Sequence, residues 1–238
     1  MRRVLTVIAL GAAVVGAVEM VGCGSSIVKG KVESAVRARL PEIIGPAQSY
    51  SVRAYGPALR MMRGKLDGLD ITGTDVRLEG RVTIARLDVQ IRGIQINTDT
   101  REIERADSTV YEATIAEAEL SRYVAAKYPS IPSLRIVLVD GTISVLAKPG
   151  VSVVRVAVQG DADLQIRDQR VLALDVRKLR VAGINAPGFA RSFLNSRLGV
   201  IFDTRDLGFD ATIASVQIRS GSLTIAGSLD LAGALAKR

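Results

Sequence analysis

Val154-Arg155-Val156-Ala157-Val158-Gln159-Gly160-Asp161-Ala162-Asp163-Leu164-Gln165-Ile166 alternates apolar and polar residues almost without a break. A period of two is the signature of a strand with one buried face. At about 3.3 Å per residue, thirteen residues would extend roughly 40 Å, where ordinary strands have five or six residues. Its inward positions include Gly160 and Ala162, which fill little volume. A wide sheet lined by small residues leaves an apolar hollow, and an empty hollow forfeits packing contacts. The alternative is that the small residues let a neighbouring element sit close, giving a filled, dry core.

The rest of the chain follows the same pattern. Downstream, Asp168-Gln169-Arg170 turns and Val171 to Val181 returns; Phe209 to Ile218 and Leu223 to Leu231 pair around Ser220-Gly221. Upstream, Leu134 to Val139 and Thr142 to Leu146 form a hairpin on Asp140-Gly141, a strong two-residue turn. From Lys65 the apolar positions are Leu66, Leu69, Ile71, Val76 and Leu78, interrupted by Gly68 and Gly73. Beyond Gly80 come Val82 and Ile84, then Leu87, Val89 and Ile91, then Ile94 and Ile96. Each change of phase implies a bulge, because one extra residue moves every later side chain to the other face. Arg101 to Tyr111 is a poorly patterned strand or loop.

Three helices are expected, besides a short helix or turn over Tyr55 to Met62. Ile27, Val28, Val32, Val36 and Leu40 form one stripe, stopped by Pro41 and Gly45-Pro46. Thr114-Ile115-Ala116-Glu117 has the spacing of a capping box, and its helix would run to Tyr128. Pro187 to Leu198 has Pro at its start and Gly199 at its end, with Phe189, Phe193, Leu194 and Leu198 on one side. The fold class is therefore α+β: a long, curved, mainly antiparallel sheet wrapped around one or more helices, with an elongated apolar groove.

The amino terminus is read separately. Arg2-Arg3 precede a 15-residue apolar run, Val4 to Val18, short for a membrane span of about 20. Met20-Val21-Gly22-Cys23 then looks like a lipobox. Residues 1–22 are read as a lipoprotein signal, 23–29 as lipidated Cys23 and tether, 30–231 as one domain, and 232–238 as a tail. An ordinary signal peptide or an uncleaved anchor is the other reading. Lipidation would hold the protein to a membrane of the cell envelope, since two or three acyl chains anchor stably.

Composition narrows the chemistry. With no His in 238 residues, a Ser-His-Asp triad cannot exist, and the commonest proton shuttle and metal ligand is absent. The single Cys permits neither an internal disulfide nor a cysteine metal site. No enzyme, cofactor or metal is expected. The charge is +8, but Lys and Arg are scattered and only five Tyr and four Phe are available for stacking. No nucleic-acid partner is expected.

Read in order, several segments carry a resemblance. They are the helix before Leu40, Arg63-Gly64-Lys65-Leu66-Asp67-Gly68-Leu69, Leu87-Asp88-Val89 with Arg92-Gly93-Ile94, and Val139-Asp140-Gly141-Thr142-Ile143. Leu179-Arg180-Val181-Ala182-Gly183-Ile184 follows, and Val216 to Gly227 closes the set. The chain resembles the LmeA-like phospholipid-binding family of exported bacterial proteins over residues 30–231. The resemblance implies a tubular lipid-binding-like fold, phospholipid or other acyl lipid as partner, and a role in envelope lipid or lipoglycan assembly or transport.

Candidate site residues follow from the groove. Met61 and Met62 could form its mouth, beside Arg60, Arg63 and Lys65 as head-group contacts, or be core filler beside solvated charges. Val154, Val156, Val158 and Leu164 face inward in either reading. Phe189 and Phe193 could line the groove or simply pack in the core. The competing function is a structural or adaptor lipoprotein with a dry core that binds another envelope protein.

Overall fold

Ser25–Ile43 forms α1, nineteen residues long. Val32, Val36 and Leu40, each four apart, are completely buried, while Ile27 at its start is 47% exposed. Residues four apart lie on one helix face. Pro41 sits inside the last turn and does not end the helix. The structure, a computed structural model, describes residues 25–78, 82–97, 103–147, 150–151, 154–155, 158–188, 192, 195, 199–207 and 211–230.

The buried stripe of α1 packs against β1 (Ser49–Tyr55), an outer strand of its sheet. Glu33 of α1 accepts a hydrogen bond from the Ala54 amide at 2.9 Å, which satisfies a donor that an outer strand leaves unpaired. After the one-turn helix α2 (Ala58–Met61), β2 (Lys65–Leu78) and β3 (Val82–Ile96) form an antiparallel hairpin of 14 and 15 residues. The glycines at 68 and 73 do not interrupt β2.

The register from Lys65 opposite Gln95 to Leu78 opposite Val82 never shifts. The changes of apolar phase are nevertheless real. Buried residues run Leu66, then Leu69 and Ile71, then Val76 on β2, and Ile84, then Leu87 to Ile91, then Ile94 on β3. At two heights one residue of each strand stands outside the pairing: Asp75 with Ala85, and Asp67 with Gly93. Asp75 (φ +50) and Gly93 (φ +61) are left-handed. A single-strand bulge would slip the register; matched extra residues exchange the faces and keep the ladder intact.

The chain divides into two compact units, one of residues 1–113, 205–212 and 227–238, the other of 114–204 and 213–226. In the first, the sheet runs β1-β2-β3-β5-β15-β14, with β4 (Ile103–Arg105) also on β3. Here β5 is Ser108–Ala116, β14 is Ala211–Arg219 and β15 is Ser222–Leu229, each with residues in both units. The interior comprises the α1 stripe, Val52 and Ala54 of β1, and the buried residues of β2 and β3.

The second unit contains α3 (Glu117–Lys127), β6 (Arg135–Val139), β7 (Thr142–Ala147), β10 (Val158–Arg167) and β11 (Val171–Val181). Its open sheet runs β12-β11-β10-β7-β6, with β12 at Ile184–Asn185 and β13 (Val200–Asp203) also on β11. Gly150–Val151 (β8) and Val154–Arg155 (β9) form a separate two-stranded ladder. The described part of the thirteen-residue alternating run therefore enters the larger sheet only from Val158. The fold is α+β, with mostly antiparallel strands in open sheets and not a barrel.

The capping box is a misreading. Thr114 remains on β5, where its hydroxyl lies 3.2 Å from that of Thr224, and α3 begins at Glu117 with Ala116 as an uncapped N-cap. Glu117 instead accepts from the Leu138 amide of β6 at 2.8 Å, and its own amide donates to Gly221. Pairing across the sheet outcompetes the local cap. The turns at Asp140-Gly141 and Ser220-Gly221 are as expected and are tied together. Asp140 accepts from the Ser220 amide at 2.7 Å, Gly141 donates to Ile218, and Gly221 donates to Leu138.

Leu40→Ala should lower unfolding stability by about 3 kcal/mol, from lost transfer energy and the cavity left behind, measured by denaturant titration. Burial pushes the Tyr50 and Tyr111 phenols up to about 12 from 10.0; they donate to Gly45 and Thr212. The folded chain thus retains protons that the unfolded chain loses. Their contribution is intact below pH 10 and is lost as pH rises from about 10 to 12. Burial raises the Tyr128 phenol as well; with no Trp to overlap, tyrosinate absorbance should show these phenols titrating late, and Tyr50→Phe should remove one of them.

Candidate functional site

The segment after Gly56 begins with Pro57, whose extended backbone (ψ 139) precedes the single turn of α2. Met61 points into the core and is 1% exposed; Met62 is half-buried. Leu59 projects outward at 72% exposure. Arg60 lies 2.8 Å from Asp67, so its charge is already partnered. Arg63 and Lys65 are exposed and have no partner among the described residues. The two methionines therefore part company: Met61 is core, and only Met62 lies at the surface beside the cations.

Other side chains complete this neighbourhood. Lys29 of α1 stands 5.5 Å from the Tyr55 ring centre, and the Arg92 guanidinium stands 5.7 Å from it. Both distances are within cation–π range. Arg92 also pairs with Asp70 and lies over Gly68, where a Cβ would come 3.0 Å from its Nη1. Lys29, Tyr55, the Gly68–Asp70 stretch and Arg92 are far apart in sequence, so no local signal joins them.

On β10, Gly160 and Ala162 are buried, Val158 and Leu164 are half-exposed, and Ile166 is 36% exposed. The space beside Gly160 is taken. A Cβ there would meet Val176 Cγ1 at 3.2 Å and the Lys178 carbonyl at 3.4 Å. At this position the small residue admits the adjacent strand and leaves no hollow. The partly uncovered apolar surface is at the two ends, Val158 on one side and Leu164 with Ile166 on the other. Strand β7 pairs with β10 only as far as Ala162 opposite Ile143. Val156, Phe189, Phe193 and Cys23 lie outside the described residues, as does the side chain of Val154.

Between β10 and β11 the register slips: Asp161 faces Lys178, but Ala162 faces Val176. Arg177 is the extra residue, a bulge on β11. The sequence carries its trace, since buried Val176 and Leu179 are three apart where strand neighbours on one face are two apart. A bulge leaves backbone groups without ladder partners. Asn195 supplies them: its Oδ1 accepts from the Val176 amide at 2.8 Å and its Nδ2 donates to the Val176 carbonyl at 3.4 Å, while the same Nδ2 donates to the Asp175 carboxylate at 3.0 Å. Asn195 and Arg177 are the structural residues that sequence reading missed. Beyond the bulge, Ala182 (φ +51) and Gly183 (φ +84) form a two-residue left-handed turn into β12.

Among the described residues there is no group of three or more His, Cys, Asp or Glu that could hold a metal ion. No described helix is long and apolar enough to cross a membrane. A family model described as LmeA-like phospholipid-binding matches residues 22–228 of the 238. No curated protein and no solved structure matches the chain.

Asn195→Ala strips the bulge of its acceptor and should destabilise the protein by about 1–3 kcal/mol, the cost of an unsatisfied buried amide. Hydrogen exchange at the Val176 amide should accelerate in step with that loss.

Proposed function

The chain belongs to the LmeA-like phospholipid-binding family, and from that premise we propose that it is a non-enzymatic lipoprotein of the cell envelope. It binds phospholipid, or a related acyl lipid, in an elongated apolar groove and serves envelope lipid or lipoglycan assembly or transport. The observation that supports a groove is the incomplete cover of Val158, Leu164 and Ile166 on β10. An acyl chain laid on such surface gains about 0.8 kcal/mol per buried methylene. The first unit has lipid-compatible groups of its own: half-buried Met62 offers a flexible apolar contact. Exposed Arg63 and Lys65 are free to meet a phosphate, whereas Arg60 must first leave Asp67.

The export reading rests on Arg2-Arg3, the apolar run to Val18, and Cys23. Diacylation of Cys23 would keep the protein on a membrane on the outer side of the exporting bilayer.

A second reading, an adaptor with a dry core, is favoured by the complete burial of Val32, Val36 and Leu40 and by the filled space at Gly160. Val158→Ala separates the two. It should cost about 1 kcal/mol of stability in either case, but it alters lipid uptake only if lipid touches the strand.

The direct test is native purification, solvent extraction and mass spectrometry. Stoichiometric phospholipid is expected, and Leu164→Asp should reduce uptake of a fluorescent phospholipid by at least about ten-fold, since an unpaired charge in an apolar site is costly. Recovery of no lipid together with no uptake would sink the groove. Cys23→Ser should abolish incorporation of labelled palmitate and release the protein from membranes; persisting label would reject Cys23 as the anchor.

A further inference from the structure

Beside the β11 bulge lies a cavity of about 440 Å³ lined by Arg177, Lys178, Arg180 and Asn185, with Leu179, Ala186 and Gly188 completing its wall. Among the described residues that line it, every charged one is cationic. Its size falls among small-molecule sites, which occupy roughly 300–1,000 Å³.

The backbone explains why the cations converge. In an antiparallel ladder, directly opposed residues share a face. Arg180 is opposed to Gln159 on one side and to Asn185 on the other, and Lys178 is opposed to Asp161. Leu179, opposed to Gly160, belongs to the other face and is buried. Lys178 and Arg180 therefore point away from the apolar face of β10. Strict alternation would send Arg177 with Leu179, but as the extra residue of the bulge it joins Lys178 in lining the cavity. Bulges re-aim side chains in this way. Arg177 is held by an ion pair with Asp163. Lys178 and Arg180 have no partner among the described residues. The tight turn at Ala182-Gly183 brings Asn185, with its amide donors, alongside Arg180.

We propose that this cavity binds a phosphate ester, with Lys178 and Arg180 as its principal donors and Asn185 as an additional one. Ammonium and guanidinium groups together with an amide match the acceptor oxygens of a phosphate. The ester is carried either by a lipid head group or by a small soluble molecule. The phospholipid reading bears only on that source, because Lys178 and Arg180 lie on the opposite face of the sheet from the acyl surface of β10.

Calorimetric titration of the whole mature protein tests it with three probes: sn-glycerol 1-phosphate, dihexanoyl-phosphatidylglycerol below its micellar concentration, and dihexanoylglycerol, which lacks the phosphate. At least one phosphate-bearing probe should bind, more weakly as salt rises. Lys178→Gln with Arg180→Gln should weaken it at least about ten-fold, the effect of one lost charged hydrogen bond, and leave dihexanoylglycerol unaffected. Asn185→Ala should give a smaller loss, and the exposed positions make folding of all variants checkable by an unchanged melting transition. Equal binding of the two phosphate probes identifies a soluble ester; binding of the lipid alone identifies a head group. Unchanged affinity in the double variant, or no phosphate binding by the wild-type protein, overturns the proposal. Co-purified lipid in a protein that ignores phosphate would refute this site while leaving the acyl groove standing, and phosphate binding without any lipid would do the reverse.

Discussion

Backbone hydrogen bonding between β2 and β3 sets the terms for everything packed on it. Buried peptide groups must be paired, yet the apolar residues of this hairpin change face twice. Asp75 with Ala85, and Asp67 with Gly93, resolve the conflict by stepping out of the ladder at matched heights. On the other side of β2, the β1 ladder sets Val52 opposite Ile71 and Ala54 opposite Leu69. α1 seals that surface with Val32, Val36 and Leu40. A one-sided insertion would have turned half of these residues to water.

The features legible in the sequence were those with local chemistry. The four-residue spacing of the α1 stripe and the Asp140-Gly141 and Ser220-Gly221 turns depend on neighbours in the chain. The errors had distant causes. Gly68 and Gly73 read as breaks in β2, but Gly68 lies beneath Arg92, 24 residues on, where a side chain would be crowded. Thr114 reads as a helix cap, but its partner is Thr224. Glu117 reads as the other half of that cap, but it serves the Leu138 amide.

The candidate site was less legible than the fold. The apolar face of β10 was correct in phase, but Gly160 proved to be occupied by Val176 of the next strand. Met61 and Met62 are adjacent and chemically identical, and it is the direction of the α2 turn that makes one core and leaves the other half-open. Arg60 is chemically like Arg63, but Asp67 engages only the first. Pairing of charges across a hairpin depends on register, which a single sequence does not encode at the level of individual side chains. The Arg177 bulge left a readable sign in the spacing of Val176 and Leu179, and its functional weight lies in redirecting side chains that would otherwise alternate.

The tie between the Asp140 and Ser220 turns, and the contact between Thr114 and Thr224, join residues 80 and 110 positions apart. Strand β15 covers an edge of β5 that lies about a hundred residues before it. Contacts of such separation form late and slowly. The edge of β5 therefore gains its cover only after a stretch of about a hundred residues has been looped out, so closing this sheet carries a large entropy cost that local hairpins such as β2–β3 escape.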